Sequence, residues 1–275
     1  MAHADTVPGD AVAAAAMTRP RIISVANQKG GVGKTTTTVN LATAMAAAQK
    51  GILVLDFDPQ GNASTGLGIG RSDRETNTYD LLMNEATLDD ARIKTKIPGL
   101  DIVPSSVHLA GAELELVQQD RREFRLSDAL AAARGYDFVL IDCPPSLNLL
   151  TLNALCAADA VLVPLQVEFY ALEGLSHLVS TIERVRRAFN PSLEILGVVL
   201  TMFDRRNNLS EMVEADVRAH FGDKVYKTII PRNVRVSEAP SHGKPVLLYD
   251  WRCAGSQAYI HLASEILKRE SGMAA

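Results

Sequence analysis

The sequence predicts an α/β protein with one mostly parallel, twisted sheet and helices on both faces. Apolar, β-branched runs recur along the chain, separated by segments of helix formers long enough to cross over. The runs lack polar alternation, as strands buried on both faces do. The first run ends in a glycine turn that opens directly into a helix, which places a working edge at the carboxyl ends of the strands.

Residues 1–18 are Ala-rich with few core formers. A signal peptide would need a basic start and an unbroken apolar stretch, and Asp5 and Asp10 interrupt this one. Residues 1–20 are therefore expected to be a disordered tail, followed by one domain over 21–270 and a short C-terminal tail over 271–275. No repeat or low-complexity linker divides the domain.

Strands are expected at 22–27, 52–57, 100–103, 138–142, 160–165, 195–202 and 225–230. Helices are expected at 34–49, 123–134, 148–157, 173–189, 210–221 and 257–269. Apolar content of 47% supports a sizeable core, and charged content of 22% is ordinary for a soluble chain. A net charge of −4 gives no global attraction to nucleic acid, so a DNA surface must be a local patch. Cys143, Cys156 and Cys253 are far apart and form no CxxC pair. That favours free thiols in a reducing compartment and argues against a zinc or iron–sulfur site within one chain. No uninterrupted apolar run reaches membrane-span length.

The glycine turn is Lys29-Gly30-Gly31-Val32-Gly33-Lys34-Thr35-Thr36. Glycines let backbone N–H groups turn inward around phosphate oxygens, and the helix N-terminus adds its positive dipole end. Lys34 supplies a cation for the outer phosphates, and the Thr35 hydroxyl can ligate Mg²⁺. The chain thus reads as a single-domain P-loop fold. It departs from the ordinary pattern in having Gln28 where a glycine is expected, with Lys29 beside it. Two strand ends add carboxylates, in Asp56-Phe57-Asp58-Pro59-Gln60-Gly61-Asn62 and Asp142-Cys143-Pro144-Pro145-Ser146. Asp142 follows Phe138-Val139-Leu140-Ile141 as a Walker-B acid does and would hold Mg²⁺ directly or through water. Asp58 is placed to orient an attacking water and is also a candidate metal ligand. A lone aspartate would more simply cap a turn; beside a Gly-Lys-Thr loop the chemical role is preferred.

These motifs resemble those of the ParA/MinD superfamily, in which the glycine loop is a deviant Walker A. Residues 229–235 and Ser237-Glu238-Ala239-Pro240-Ser241 narrow the resemblance to Soj-like chromosome partition proteins, over residues 20–270. The resemblance implies a weak Mg²⁺-dependent ATPase, cytoplasmic and nucleoid-associated. It implies that Lys29 reaches the nucleotide of a second copy in an ATP-dependent sandwich homodimer. It implies a dimer that coats double-stranded DNA without sequence preference, and a ParB-type centromere-binding protein that triggers hydrolysis and release. It places Pro231 and Asn233 near the adenine, where a plain surface loop is the competing reading, and it matches Arg206 and Arg235 to DNA-contacting arginines.

The chemistry makes Lys29 intelligible. Two cations against one set of phosphates repel until nucleotide arrives, whereas a cation donated in trans ties dimerisation to the γ-phosphate and stabilises transition-state charge. For DNA, Lys224, Lys227, Arg232, Arg235 and Lys244 stand against Glu238 in one stretch. Without interleaved aromatics there, backbone phosphate contact is the expected mode.

Rival readings exist. A membrane-positioning ATPase would need an amphipathic C-terminal anchor; Tyr259, Ile260, Leu262, Ala263, Ile266 and Leu267 form an apolar face, but a helix packed on its own sheet has one too. No membrane partner is expected. An electron-transfer ATPase would need paired cysteine ligands, for which Cys143 and Cys156 are poorly placed. A non-catalytic nucleotide-binding scaffold is the third alternative.

Overall fold

The structure, a computed structural model, describes residues 19–272. Most of the expected N-terminal tail and residues 273–275 lie outside the described residues. The chain opens with β1 (Arg21–Val25), α1 (Lys34–Ala47) and β2 (Ile52–Asp56). Three short helices follow, α2 (Asn62–Gly66), α3 (Thr78–Met83) and α4 (Leu88–Ala91), then β3 (Ile93–Lys94) and β4 (Leu100–Val103). Next come α5 (Leu109–Leu116), α6 (Arg125–Leu130), β5 (Phe138–Asp142), α7 (Leu149–Ala157), β6 (Ala160–Gln166) and α8 (Ala171–Ala188). The chain continues through β7 (Glu194–Thr201), α9 (Asn208–Phe221), α10 (Val234–Glu238), α11 (Val246–Tyr249) and α12 (Ala254–Glu270).

The strands form a 7-stranded sheet in the order β3-β4-β2-β5-β1-β6-β7. The pairs are parallel except for β3, which runs antiparallel to β4 at the edge. Register fixes the site: Val25 and Asp56 are each level with Asp142, so three strands end together. Loops leaving those ends must meet over one crevice, where open α/β sheets bind ligands.

Alternate strand residues feed two cores, as strands covered on both faces require. Ile23, Val54, Leu140 and Leu162 pack under α1 and α12. Leu53, Val139, Ile141 and Val163 belong to the other core, built with α3, α5, α6, α7, α8 and α9. Helix α8 is amphipathic, burying Leu175, Leu178, Ile182 and Val185 along one stripe. Helix α1 is buried almost all round because α12 covers the side away from the sheet. Truncating Leu41, which has no exposure, to Ala would cost about 2–5 kcal/mol.

Several expectations need correction. Residues 225–230 form no strand; they meet β7 and its extension through the isolated bridges Val198–Val225 and Phe203–Pro231 and through the Ile230 amide, which donates to Leu200 O at 2.9 Å. The Lys227 and Thr228 amides donate instead to the Glu265 carboxylate, at 2.9 and 3.0 Å, and Pro231 has no N–H to give. The helix expected over 123–134 is regular only at Arg125–Leu130. The last helix begins earlier than expected, at Ala254, with the Cys253 sulfur accepting from the Ser256 amide at 3.4 Å.

Candidate nucleotide site and basic face

The loop after β1 is pinned at three points. Asn27 Nδ2 donates to Pro164 O at 2.8 Å, and Asn27 Oδ1 accepts from the Lys29 amide at 3.0 Å. Val32 is buried, and its carbonyl accepts from Thr201 Oγ1 at 2.9 Å. Lys34 Nζ donates to Lys29 O at 3.0 Å, arching across the turn. Gly31 and Gly33 take φ values of 76° and 89°, in the left-handed region that disfavours side chains. A Cβ at Gly30 would meet nothing within 4 Å. Helix α1 starts at Lys34, so its first amides, with no partner inside the helix, face the crevice beside Thr35 and Thr36.

Lys34 is 7% exposed. Burial lowers its ammonium from the ordinary value, and Asp142 and Asp58 act against that lowering. Asp142 is fully buried. Its Oδ1 accepts from Thr38 Oγ1 at 3.1 Å, and its Oδ2 has no hydrogen-bond partner among the described residues. Burial pushes this carboxyl up, and Asp56 beside it pushes it further. Asp56 itself is engaged by Ser64, whose amide and hydroxyl donate to Oδ2 at 2.7 and 2.6 Å. Those bonds fold the segment after β2 back on itself. Asp58 then lies in a turn, with Oδ1 accepting from the Gln60 amide at 3.0 Å and the Asp58 carbonyl accepting from the Gly61 amide at 2.9 Å.

The structure therefore brings the glycine loop, Lys34, Asp58 and Asp142 to one crevice. An orphaned buried carboxylate oxygen beside a hydroxyl-bearing helix start fits a hard divalent cation, because such an atom is costly unless a cation or water meets it. Among the described residues no group of three or more His, Cys, Asp or Glu could hold a metal alone. Magnesium takes one or two carboxylates and relies on phosphates and water for the rest.

Lys29 behaves differently from Lys34. It is exposed and ion-paired with Glu168, in the loop after β6. Glu168 was not a candidate from sequence; nothing in its local pattern sets it apart. Asp56 and Thr38 were likewise missed, although Asp56 carries the same strand-end signal as Asp142.

The residues matched to adenine and DNA lie around the β7 end of the sheet. Pro231 bridges Phe203, and Asn233 Oδ1 caps α10 by accepting from the Arg235 amide at 2.9 Å. Arg206 makes two bonds to Asp204, at 3.0 and 2.9 Å. The Arg232 amide donates to Phe203 O at 2.9 Å, and Arg205, Arg206 and Arg232 line one depression. Arg235 pairs with Glu238 at 2.9 Å and Asp250 at 3.6 Å. Arg206 and Arg235 are thus each held in place by acids of their own chain.

Two of the rival readings also meet the structure. Tyr259, Leu262, Ala263 and Ile266 are buried against α1 and the sheet, so most of the apolar face of α12 is already used, while Ile260 is exposed and Leu267 half-buried. Cys143 and Cys156 are free thiols buried in the core. Among the described residues no helix is long and apolar enough to cross a membrane.

Comparison with known proteins agrees with this geometry. The AAA domain family matches residues 20–195. The chromosome partitioning protein ParA of Caulobacter vibrioides is 66% identical over 253 residues, covering 91% of this chain and 95% of that protein. The sporulation initiation inhibitor protein Soj of Bacillus subtilis is 53% identical over 247 residues, covering 90% and 98%. Cobyrinic acid a,c-diamide synthase of Mycobacterium smegmatis, solved with an ATP analogue and magnesium, is 34% identical with a TM-score of 0.81, covering 92% of this chain and 96% of that one. With the glycine loop and the strand-end aspartates at one crevice and relatives of this identity along nearly its whole length, the chain belongs to the ParA/Soj family of chromosome-partition ATPases.

Proposed function

We propose that the protein hydrolyses ATP, closes into an ATP-dependent homodimer, and in that form binds double-stranded DNA without sequence preference. A ParB-type centromere-binding protein stimulates hydrolysis and so releases the dimer, and the working place is the nucleoid in the cytoplasm. The observation that carries this reading is the division of labour between two lysines. Lys34 is buried and turned into the glycine loop. Lys29 is exposed and turned away from it toward Glu168.

In the mechanism, the amides of Gly30 to Thr36 bind the phosphates, and Lys34 orients the outer ones. Bound magnesium supplies charge neutralisation at those phosphates, with Thr35, Asp58 and Asp142 as the residues that would hold it. Asp58 orients the attacking water. Lys29 of each copy reaches the other copy's nucleotide and stabilises charge in the transition state. Val32 seats the loop in the core. Pro231 and Asn233 border the adenine, and Arg206 and Arg235 meet DNA phosphates.

DNA binding by the purified protein with ATP, ADP and no nucleotide, at two salt concentrations, tests the proposal. Affinity should need ATP and fall with salt. Equal affinity in all three nucleotide states would contradict it.

A further inference from the structure

Trp251, the single tryptophan of the protein, lies in the turn between α11 and α12 and is 60% exposed. Leu248 and Val234, on neighbouring short helices, are exposed too. Cations accompany them: Arg232, Arg235, Lys244 and Arg252 are all exposed. The Arg252 guanidinium carbon lies 5.2 Å from the indole centroid. Arg235 pairs with Asp250, the residue immediately before Trp251.

The indole stands on a fixed platform. Gln257 Nε2 donates to Trp251 O at 2.7 Å, and Ser256 Oγ donates to Asp250 O at 2.7 Å. The Val246 amide donates to Asn40 Oδ1 on α1 at 2.7 Å. The turn that carries the aromatic is therefore held by α12, and the short helix before it is held by α1, which rises from the glycine loop. An isolated exposed apolar residue needs no explanation, but an exposed indole with Arg252 over its ring, in a stretch that also exposes Leu248 and Val234, marks a contact surface.

We propose that Trp251 is a DNA contact, its indole lying against sugar and base edges while Arg235 and Arg252 meet phosphates beside it. The inference rests on the DNA-binding reading above and adds an apolar contact to it. Charge selects the occupant. Arg232, Arg235, Lys244 and Arg252 outnumber Glu238 and Asp250 here, in a chain whose net charge is −4. A polyanion satisfies the cations in excess over these two acids, whereas an apolar protein face would bury that excess without partners. An anionic bilayer would also answer the charge, but α11 is 4 residues long, too short for a helix lying in a membrane interface.

An apolar contact and a phosphate contact leave different signatures. Removing a phosphate contact reduces the salt dependence of binding; removing an apolar contact weakens binding equally at every salt concentration. The experiment follows Trp251 emission while random-sequence duplex is titrated in with ATP, with ADP and without nucleotide. It also measures the affinity of Trp251→Ala and Trp251→Phe across a salt series. DNA should change the emission only with ATP, and beyond any change from ATP alone. Trp251→Ala should weaken binding about tenfold at every salt concentration with an unchanged slope, and Trp251→Phe should retain most of the affinity. The emission of the unaltered protein tests the contact free of any effect of substitution on folding. Duplex that binds without moving the emission, together with wild-type affinity in Trp251→Ala, overturns this inference and leaves DNA binding standing. Absence of ATP-dependent DNA binding in the wild type overturns the underlying reading as well. Emission that responds to anionic phospholipid vesicles and not to DNA overturns the inference in favour of a membrane contact.

Discussion

Lys29 Nζ is ion-paired with Glu168, so the lysine assigned to a second copy's nucleotide is held by an acid of its own chain. The pair must open before Lys29 can act in trans. An exposed pair of this kind contributes about 0.2–1 kcal/mol. Two such pairs open per dimer, so replacing Glu168 by Gln should raise the ATP-dependent association constant by about two- to thirtyfold at low salt, with less effect at high salt. Lys29→Ala should keep nucleotide affinity and lose the dimer. Light scattering over a dilution series checks both. A Glu168→Gln protein that dimerises like the wild type would remove the holding role.

Gly30 separates folding from assembly. A Cβ there meets open space within the chain, and its backbone is outside the left-handed region. Gly30→Val should fold, bind ATP and fail to close the dimer, because the branched side chain stands where two loops approach. Gly31→Val should instead cost stability, because Gly31 has φ 76°. Thermal melts combined with light scattering distinguish the two outcomes.

Lys34 and Asp58 should fail in opposite ways. Lys34→Ala removes the cation at the outer phosphates and should abolish measurable ATP binding in calorimetry. Asp58→Ala leaves Lys34 and Asp142 in place but removes water orientation, so ATP should bind and persist. Such a protein should stay on DNA after ATP is washed out; prompt dissociation would show that Asp58 does not orient the water.

Arg206 and Arg235 should each carry part of the salt dependence. Removing one phosphate contact lowers the log–log salt slope by about 1, so one substitution lowers it by about 2 if both copies touch DNA. Affinity should fall alike for all sequences, since phosphate contacts carry no base information. Asp204→Asn frees Arg206 from its partner and should strengthen binding. Arg206→Ala with an unchanged slope would mark that arginine as a solvated charge.

Glu265 gives a pH test of the segment that failed to become a strand. Burial acts to raise its carboxyl, but the Lys227 and Thr228 amides and Arg269 outweigh burial and hold it below its ordinary value of 4.5. The folded state therefore favours the carboxylate. Its contribution is complete above the unfolded-state pKa and is lost as pH falls through the depressed folded value. Glu265→Gln should destabilise the neutral-pH protein by about 1 kcal/mol and flatten the fall in melting temperature below about pH 5. An unchanged acid limb would show that the carboxylate does not hold residues 227–228.

What the sequence made legible follows from length and burial. Strands β1, β2, β5, β6 and β7 are runs with no polar alternation, and helix α8 shows its stripe. Short helices such as α3 and α4 are too brief for periodicity; they are set by the caps Asn77 and Thr87, whose side chains accept from the Tyr79 and Asp90 amides. Residues 225–230 misled because Val225, Tyr226 and Ile230 are buried as a strand's would be, while the neighbouring amides pair with a distant carboxylate. In the site, the strand-end aspartates were readable by spacing. Glu168 was not, because its partner Lys29 is far from it in sequence and meets it only once β1 and β6 lie side by side.

The hydrogen bond from Thr201 Oγ1 to Val32 O joins the phosphate loop to the end of β7. Beyond it the chain turns through Met202, at φ 54°, into the loop that carries Arg206. A non-glycine residue in that conformation is strained by about 1–3 kcal/mol and is held only by its surroundings. Loop and turn thus share one support, through which any coupling between the nucleotide and DNA sites proposed above would run. Coupling between binding sites is reciprocal: whatever factor ATP adds to DNA affinity, DNA must add to ATP affinity. Long DNA should therefore raise the affinity for a non-hydrolysable ATP analogue, and Thr201→Val should reduce both effects together. A substitution that weakened one and spared the other would place the coupling elsewhere in the molecule.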